Sequence, residues 1–227
     1  MTNKEPAIII PVFNEEKTIG NVLKKIKNKG SVFVIDDNST DNSHDIISKY
    51  EVNLIKNHSN IGYSKTIQRG IKIVKRNGYK YAITFDSDGE HNIEDIEKIT
   101  LLLKNNYSLV VGSRNKKNRN IEIFASILTN FFIGIKDPFC GLKGYDLSKI
   151  TFQNPYLQLE MEDTNTYLMI FYIKKNLSFF NLNINGKRTS KSKNSRFGDG
   201  FFSEVKLAKS FFYWLWKTKL FIIILRV

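Results

Sequence analysis

Asp86 and Asp88 stand one residue apart at the end of a short apolar run. At a strand end, two carboxylates so spaced can point to the same side and hold Mg²⁺ or Mn²⁺. The cation's other positions suit diphosphate oxygens and water, and such bridging stabilises the charge that builds up on a departing nucleoside diphosphate. A D-x-D alone also serves as a helix cap and turn. Here two more polar stretches follow apolar runs: Pro11-Val12-Phe13-Asn14-Glu15-Glu16 and Asp36-Asp37-Asn38-Ser39-Thr40-Asp41. Carboxylates in such places suit ribose hydroxyls and base N–H groups better than bare phosphate. Neither GxGxxG nor GxxxxGK[ST] occurs where a dinucleotide or P-loop site would need it.

Strands that stop where these stretches begin would bring them together. Ala7–Val12 and Val32–Ile35 are rich in β-branched residues and read as buried strands. Between them Ile19, Val22, Leu23 and Ile26 mark an amphipathic helix over Glu15–Lys27. The alternation continues with helix Asp41–Tyr50, strand Val52–Lys56, helix Ser64–Asn77, strand Tyr81–Asp86, helix Ile93–Asn105 and strand Leu109–Gly112. This pattern predicts an α/β fold with a mostly parallel sheet, helices on both faces, and ligands beyond the carboxyl ends of the strands. Past residue 115 the rhythm changes to helix Ile121–Ile135, a glycine-containing loop Asp137–Gly144, helix Glu160–Lys175 and strand Leu177–Asn183. With no internal repeat or low-complexity linker, one globular unit is expected.

The composition narrows the partners. The 227 residues carry a formal charge of +13, with one cysteine and three histidines. A disulfide scaffold, a Cys-rich zinc site and a His-based metal cage are thereby disfavoured. Between Lys187 and Val227 there are ten basic and two acidic residues, which holds eight of the thirteen excess charges. An anionic partner is expected, but a nucleic acid is not, because the acidic strand exits would repel its backbone. Met1–Pro6 is polar, so no signal peptide is expected, and no run reaches the length of a membrane span.

Five ordered segments carry a family resemblance: Ile8 to Glu16, Val34 to Asp41, Asn60-Ile61-Gly62-Tyr63, Phe85 to His91, and Val111-Gly112-Ser113-Arg114. Over residues 7 to about 150 the chain resembles family 2 glycosyltransferases of the GT-A fold, a Rossmann-like nucleotide-diphospho-sugar transferase fold. Asp137 to Tyr145 resembles a segment of the branch with dolichyl-phosphate mannosyltransferase and polyprenyl-phosphate glycosyltransferases. The resemblance implies one GT-A domain over 1–205, with a nucleotide and metal half (1–115), an acceptor half (116–205) and a tail (206–227). It places Pro11, Phe13 and Glu15 around the nucleoside, with Glu15 on the ribose, and Asp36 on base or ribose. Asp37 joins the nucleotide-binding set, or alternatively serves turn and helix capping with Ser39 and Asp41. Asp86 and Asp88 would hold the metal and diphosphate, Glu90 could add a third oxygen, and Arg114 would meet a phosphate. His91 reads as a satisfied loop histidine.

Two acceptors stay open. A hydroxyl acceptor, as in capsule or lipopolysaccharide assembly, needs a general base. In Glu160-Met161-Glu162-Asp163 that would be Asp163, unless the segment is a solvated helix start. A polyprenyl phosphate is already ionised and instead needs cations. Lys187, Arg188 and Lys193 in Lys187-Arg188-Thr189-Ser190-Lys191-Ser192-Lys193 resemble such a phosphate-holding loop, with a solvated basic loop as the alternative. Phe201–Leu225 then sets aromatic residues, including Trp214 and Trp216, among lysines. That composition predicts peripheral attachment to an anionic cytoplasmic leaflet. The alternative is a helix packed on the domain or in a homodimer contact.

Overall fold

The computed structural model describes residues 5–117, 119–151 and 164–185, with 205, 208–209 and 211–213 beyond them. Of residues 164–167 only the helical backbone is described. A seven-stranded sheet runs in the order β3-β2-β1-β4-β6-β5-β7. In its interior lies β1 (Ala7–Val12), parallel to β2 (Ser31–Asp36) on one side and β4 (Tyr81–Thr84) on the other. β3 (Asn53–Lys56) extends the sheet beyond β2, and β5 (Leu109–Arg114) pairs in parallel with β7 (Phe179–Ile184). Only β6 (Lys143–Asp146), inserted between β4 and β5, runs antiparallel to its neighbours.

Successive side chains of a strand point to opposite faces, so a central strand covered on both sides must be apolar throughout. β1 meets this demand, with all six residues buried. Ile8, Ile10 and Val12 join the core beneath α1 (Ile19–Ile26) and α4 (Glu94–Lys104). Ala7 and Ile9 join the core on the other face, with Ile67, Ile71 and Val74 of α3 (Tyr63–Arg76) and with Ile121 and Ala125 of α5 (Asn120–Ile133). The helical spacing Ile19, Val22, Leu23, Ile26 turns that whole set inward, as the sequence periodicity predicts. α2 (Ser43–Ile47) and α6 (Thr164–Lys174) follow, with a 3₁₀ turn at Leu147–Lys149, and residues 205, 208–209 and 211–213 are also helical.

Two departures from the expected elements have physical causes. Helix α1 starts four residues after Glu15, because Asn14 takes a left-handed φ of 55° and Glu15 O accepts from Thr18 N and Ile19 N in a turn first. Residues 15–18 thereby stay at the sheet edge as a loop. The second is β6, whose first two residues, Lys143 and Gly144, fall in the expected loop Asp137–Gly144 and whose last two have no expected element. Lys-Gly-Tyr-Asp shows no apolar alternation, yet all four residues are buried. Gly144 explains the fit: a Cβ there would come within 2.3 Å of Ile99 Cγ2, so only glycine lets α4 lie against this strand.

Candidate active site

Parallel strands β1, β2, β3, β4 and β5 all deliver their carboxyl ends to one rim of the sheet. Hydrogen bonds between loops build that rim. Asn14 N donates to Ser39 Oγ (3.1 Å), Thr40 N to Asn14 Oδ1 (2.8 Å), Glu15 N to Ser43 Oγ (2.7 Å) and Glu16 N to Asp41 Oδ2 (3.1 Å). The β1 and β2 exits are therefore one unit.

Asp36 and Asp37, which the resemblance implies at the nucleotide, have hydrogen-bond partners within the loops. Asp36 is buried, accepting from Ser39 N (2.8 Å) and His44 Nδ1 (2.9 Å). Asp37 is buried too, and accepts from Asn57 Nδ2 (2.7 Å), Ile61 N (2.9 Å) and Gly62 N (2.8 Å). These bonds satisfy donors of the segment before α3, which would otherwise cost about 1–3 kcal/mol each if buried unmet. Both carboxylates thus shape loops. Pro11 is a buried member of β1, in register with Ile35.

What Asp37 positions matters for chemistry. Tyr63, the first residue of α3, follows the Gly62 that Asp37 holds, and its hydroxyl donates to Asp86 Oδ1 (2.7 Å). His91 Nε2 donates to the other oxygen, Asp86 Oδ2 (3.0 Å). Lys143 is buried beneath, its Nζ donating to Cys140 O. Burial alone would raise the Asp86 pKa, but the His91 hydrogen bond and charge, the Tyr63 hydroxyl and the Lys143 cation outweigh it and hold the carboxyl below its usual range. Gly141 closes the back: a Cβ there would lie 2.0 Å from Asp86 Oδ2. Tyr63, His91 and Lys143 all sit in segments that carry the family resemblance, but their convergence on Asp86 is a tertiary fact.

Asp88 accepts from Glu90 N (2.9 Å). Burial and then the Asp86 charge push its carboxyl up to about 7. Two such carboxylates at one strand exit form a hard oxygen donor set, and this fits Mg²⁺ or Mn²⁺. Among the described residues no three His, Cys, Asp or Glu side chains gather as a metal cluster. The protein would supply two carboxylates, leaving other positions for phosphate oxygens and water. Glu15 is partly buried, and its Oε2 accepts from Thr18 Oγ1 (2.8 Å). Burial raises its pKa first, with further pushes from Asp41, Asp86 and Glu90, so it belongs to the same acidic mouth. Phe13 offers an open ring there, 44% exposed.

Arg114, which the resemblance implies at a phosphate, pairs with a carboxylate of the protein. Its N and Nε donate to Asp137 Oδ2 (3.1 and 2.8 Å), Nη2 donates to Asp137 Oδ1 (3.1 Å), and Nη2 lies 3.6 Å from Glu122 Oε2. Burial works against the guanidinium charge, but the Asp137 carboxylate more than offsets it and holds the pKa above the usual value. The bidentate clamp fastens the start of the β5 to β6 excursion to its end.

The rim compares directly with known proteins. The family model described as glycosyl transferase family 2 matches residues 7–167. The chain belongs to this family. A Methanococcus voltae UDP-N-acetylglucosamine–dolichyl-phosphate N-acetylglucosaminyltransferase is 27% identical over 211 residues, covering 78% of this chain and 84% of that one. An uncharacterized Methanocaldococcus jannaschii protein is 37% identical over 110 residues, 47% of this chain. The match spans less than half of that relative, at 45%. Glucosyl-3-phosphoglycerate synthase from Mycobacterium tuberculosis, solved with Mn²⁺, UDP and phosphoglyceric acid, superposes with a TM-score of 0.65 at 15% identity, over 82% of this chain and 72% of that one. At that identity the likeness speaks for the fold, which is GT-A.

The remaining expected site residues of this family 2 glycosyltransferase, Asp163, Lys187, Arg188 and Lys193, lie outside the described residues, as does most of 206–227. Within that tail Phe211 is buried and meets Phe139 edge-on, 5.8 Å between centroids, while Phe212 and Tyr213 are exposed. Among the described residues no helix is long and apolar enough to cross a membrane.

Proposed function

We propose that this family 2 glycosyltransferase moves a sugar from a nucleoside diphosphate donor to a polyprenyl phosphate, with inversion at the anomeric carbon. The observation that carries the reading is the Asp86 and Asp88 pair at the β4 exit, with Asp86 fixed from two sides by Tyr63 and His91. When bound there, Mg²⁺ or Mn²⁺ supplies the positive charge that stabilises the departing diphosphate. Phe13 and Glu15 lie on the nucleoside side, Phe13 offering a ring face and Glu15 an acceptor for ribose hydroxyls.

The M. voltae relative's name supports a lipid phosphate acceptor. Its phosphate oxygen is already ionised near neutral pH, so attack needs no strong base. The bond from the anomeric carbon to the diphosphate oxygen breaks as the acceptor oxygen bonds to the opposite face of that carbon, and no proton need move. In this reading Lys187, Arg188 and Lys193 receive the acceptor phosphate, on the strength of the sequence alone. Asp163 would be required only for a hydroxyl acceptor. The basic aromatic tail supports peripheral attachment at the inner face of the membrane.

Thermal unfolding with Mn²⁺ and UDP-, GDP- and dTDP-sugars, followed by transfer of labelled sugar to polyprenyl phosphate, tests the proposal. We expect one donor to stabilise the protein only with metal, and its sugar to appear on the lipid. Failure of every nucleotide to stabilise would overturn the donor assignment. Transfer to a saccharide that fails in Asp163→Asn, with no transfer to lipid, would overturn the acceptor.

A further inference from the structure

Lys143 carries a charge where the packing of the sheet asks for none. It lies on β6 between β4 and β5, in register with Thr84, and is 1% exposed. Lysine is almost never buried so completely unless other groups hold its charge, because an ammonium is costly to take out of water. Strand pairing uses only the backbone, and an unbranched apolar side chain such as methionine would fill about the same space. The ammonium itself therefore needs a reason.

Its surroundings supply one. Lys143 Nζ donates to Cys140 O, and the next residue, Gly141, stands against the Asp86 carboxylate. Thr84, opposite Lys143 and two residues before Asp86, donates its hydroxyl to Gly141 O (2.6 Å). The ammonium is thus built into the floor of the Asp86 and Asp88 pair, and its charge acts on Asp86. Both Asp86 oxygens already accept a hydrogen bond, Oδ1 from Tyr63 (2.7 Å) and Oδ2 from His91 (3.0 Å). Two carboxylates offset in this way by a fixed cation attract a divalent ion only weakly by themselves. A nucleoside diphosphate brings the missing negative charge and oxygen ligands, and the same ammonium attracts it.

We propose that Lys143 is a fixed buried cation of the donor site, which offsets the carboxylate pair while the site is empty and so makes tight binding of Mg²⁺ or Mn²⁺ depend on a nucleoside diphosphate. This role rests on the donor site proposed above. It acts by charge at a distance, through Asp86 and its neighbours, so Lys143 is a positioning residue and touches neither donor nor acceptor. The consequence is a pair of opposite effects: Lys143 opposes the metal alone and favours the diphosphate alone. Loss of packing has no such signature, since damage to the floor of the site weakens both.

Binding of Mn²⁺, followed by electron paramagnetic resonance, and of UDP, GDP and dTDP, followed by calorimetry, each alone and together on the full chain, reads these effects without turnover. In the wild type, Mn²⁺ alone is expected to bind about 10-fold or more weakly than Mn²⁺ with the nucleotide the site accepts. Lys143→Met is expected to tighten Mn²⁺ alone by about 10-fold and to weaken that nucleotide without metal by about the same factor. Mn²⁺ binding that is unchanged or weaker in folded Lys143→Met overturns the role of Lys143, while joint binding of Mn²⁺ and nucleotide by the wild type leaves the donor site standing. Binding of no nucleotide by the wild type, with or without Mn²⁺, overturns both. Should Lys143→Met fail to fold, Lys143→Gln takes its place, because it removes the charge and keeps a donor for Cys140 O; the expected signs are the same. Wild-type Mn²⁺ affinity that is equal with and without nucleotide overturns the proposal whichever variant folds.

Discussion

The catalytic rim and the outward face of α5 are built on opposite principles. In the rim, nearly every polar group is held by a neighbouring loop: Asp37 by three donors, Asp86 by Tyr63 and His91, Asp137 by Arg114. On α5, apolar side chains face outward and nothing polar organises them. The first arrangement fixes atoms to within a hydrogen bond's tolerance, as chemistry at an anomeric carbon needs. The second leaves Ile123, Phe124, Ile127 and Phe131 outward with no polar group to fix the position of anything they meet. A single clamp, Arg114 with Asp137, joins the two.

The contrast breaks most completely at Asp86. Asp86→Asn keeps the shape and the contact with Tyr63 but removes the charge, and turnover is expected to fall on the order of 10³-fold or more. Chelation by EDTA should match that loss and Mn²⁺ should restore the wild type only. Vesicle binding by the variant, expected from the basic aromatic tail, should be unchanged. If both fall together, the division between them is wrong.

Arg114→Ala attacks the joint. It leaves Asp137, fully buried, without its counter-charge, and breaking a buried pair from one side costs about 3–5 kcal/mol. Arg114→Lys should recover little, because a point charge cannot replace two parallel N–H bonds. Denaturant unfolding measures both. Tyr63→Phe is milder: it removes one hydrogen bond to a carboxylate, and residues that orient a metal ligand typically affect metal affinity by about 10–100-fold. Titration of Mn²⁺ by electron paramagnetic resonance in the presence of nucleotide should show the loss, with little change in unfolding temperature.

Much of the rim was legible in the sequence, because carboxylates after β-branched runs announce strand exits, and Asp86, Asp88, Glu15 and Phe13 stand where that pattern puts them. The loop contacts of Asp36, Asp37 and Arg114 were not, since residue type alone does not tell which backbone N–H groups or buried counter-charge a side chain meets in the fold. Strand β6 was hidden for a related reason. Its Lys143 is buried by a partner, and its Gly144 is dictated by the approach of α4, neither of which has a local signature. Helix α5 was legible as a helix, but a sequence so apolar all round does not reveal which face turns outward.

The smallest effect at neutral pH concerns Cys140, which tests how thin the polar rim is. This thiol sits in the apolar core with Leu142 and Val110, one residue from the Gly141 that touches Asp86. Burial, and then the Asp137 charge, push it up to about 12 from a usual 9.0. The folded chain therefore holds the thiol proton more tightly than the unfolded chain does. That contribution to stability is present in full below pH 9 and is lost as pH rises through the interval up to about 12, at no more than about 1.4 kcal/mol per pH unit. Cys140→Ala should match the wild type in pH sensitivity at neutral pH and show a shallower decline above pH 9, in urea unfolding followed across that range. Identical slopes would mean that water reaches Cys140 and that the rim is deeper than one residue. In the native wild type at neutral pH, iodoacetamide should leave the thiol unmodified, because the reactive thiolate is almost absent.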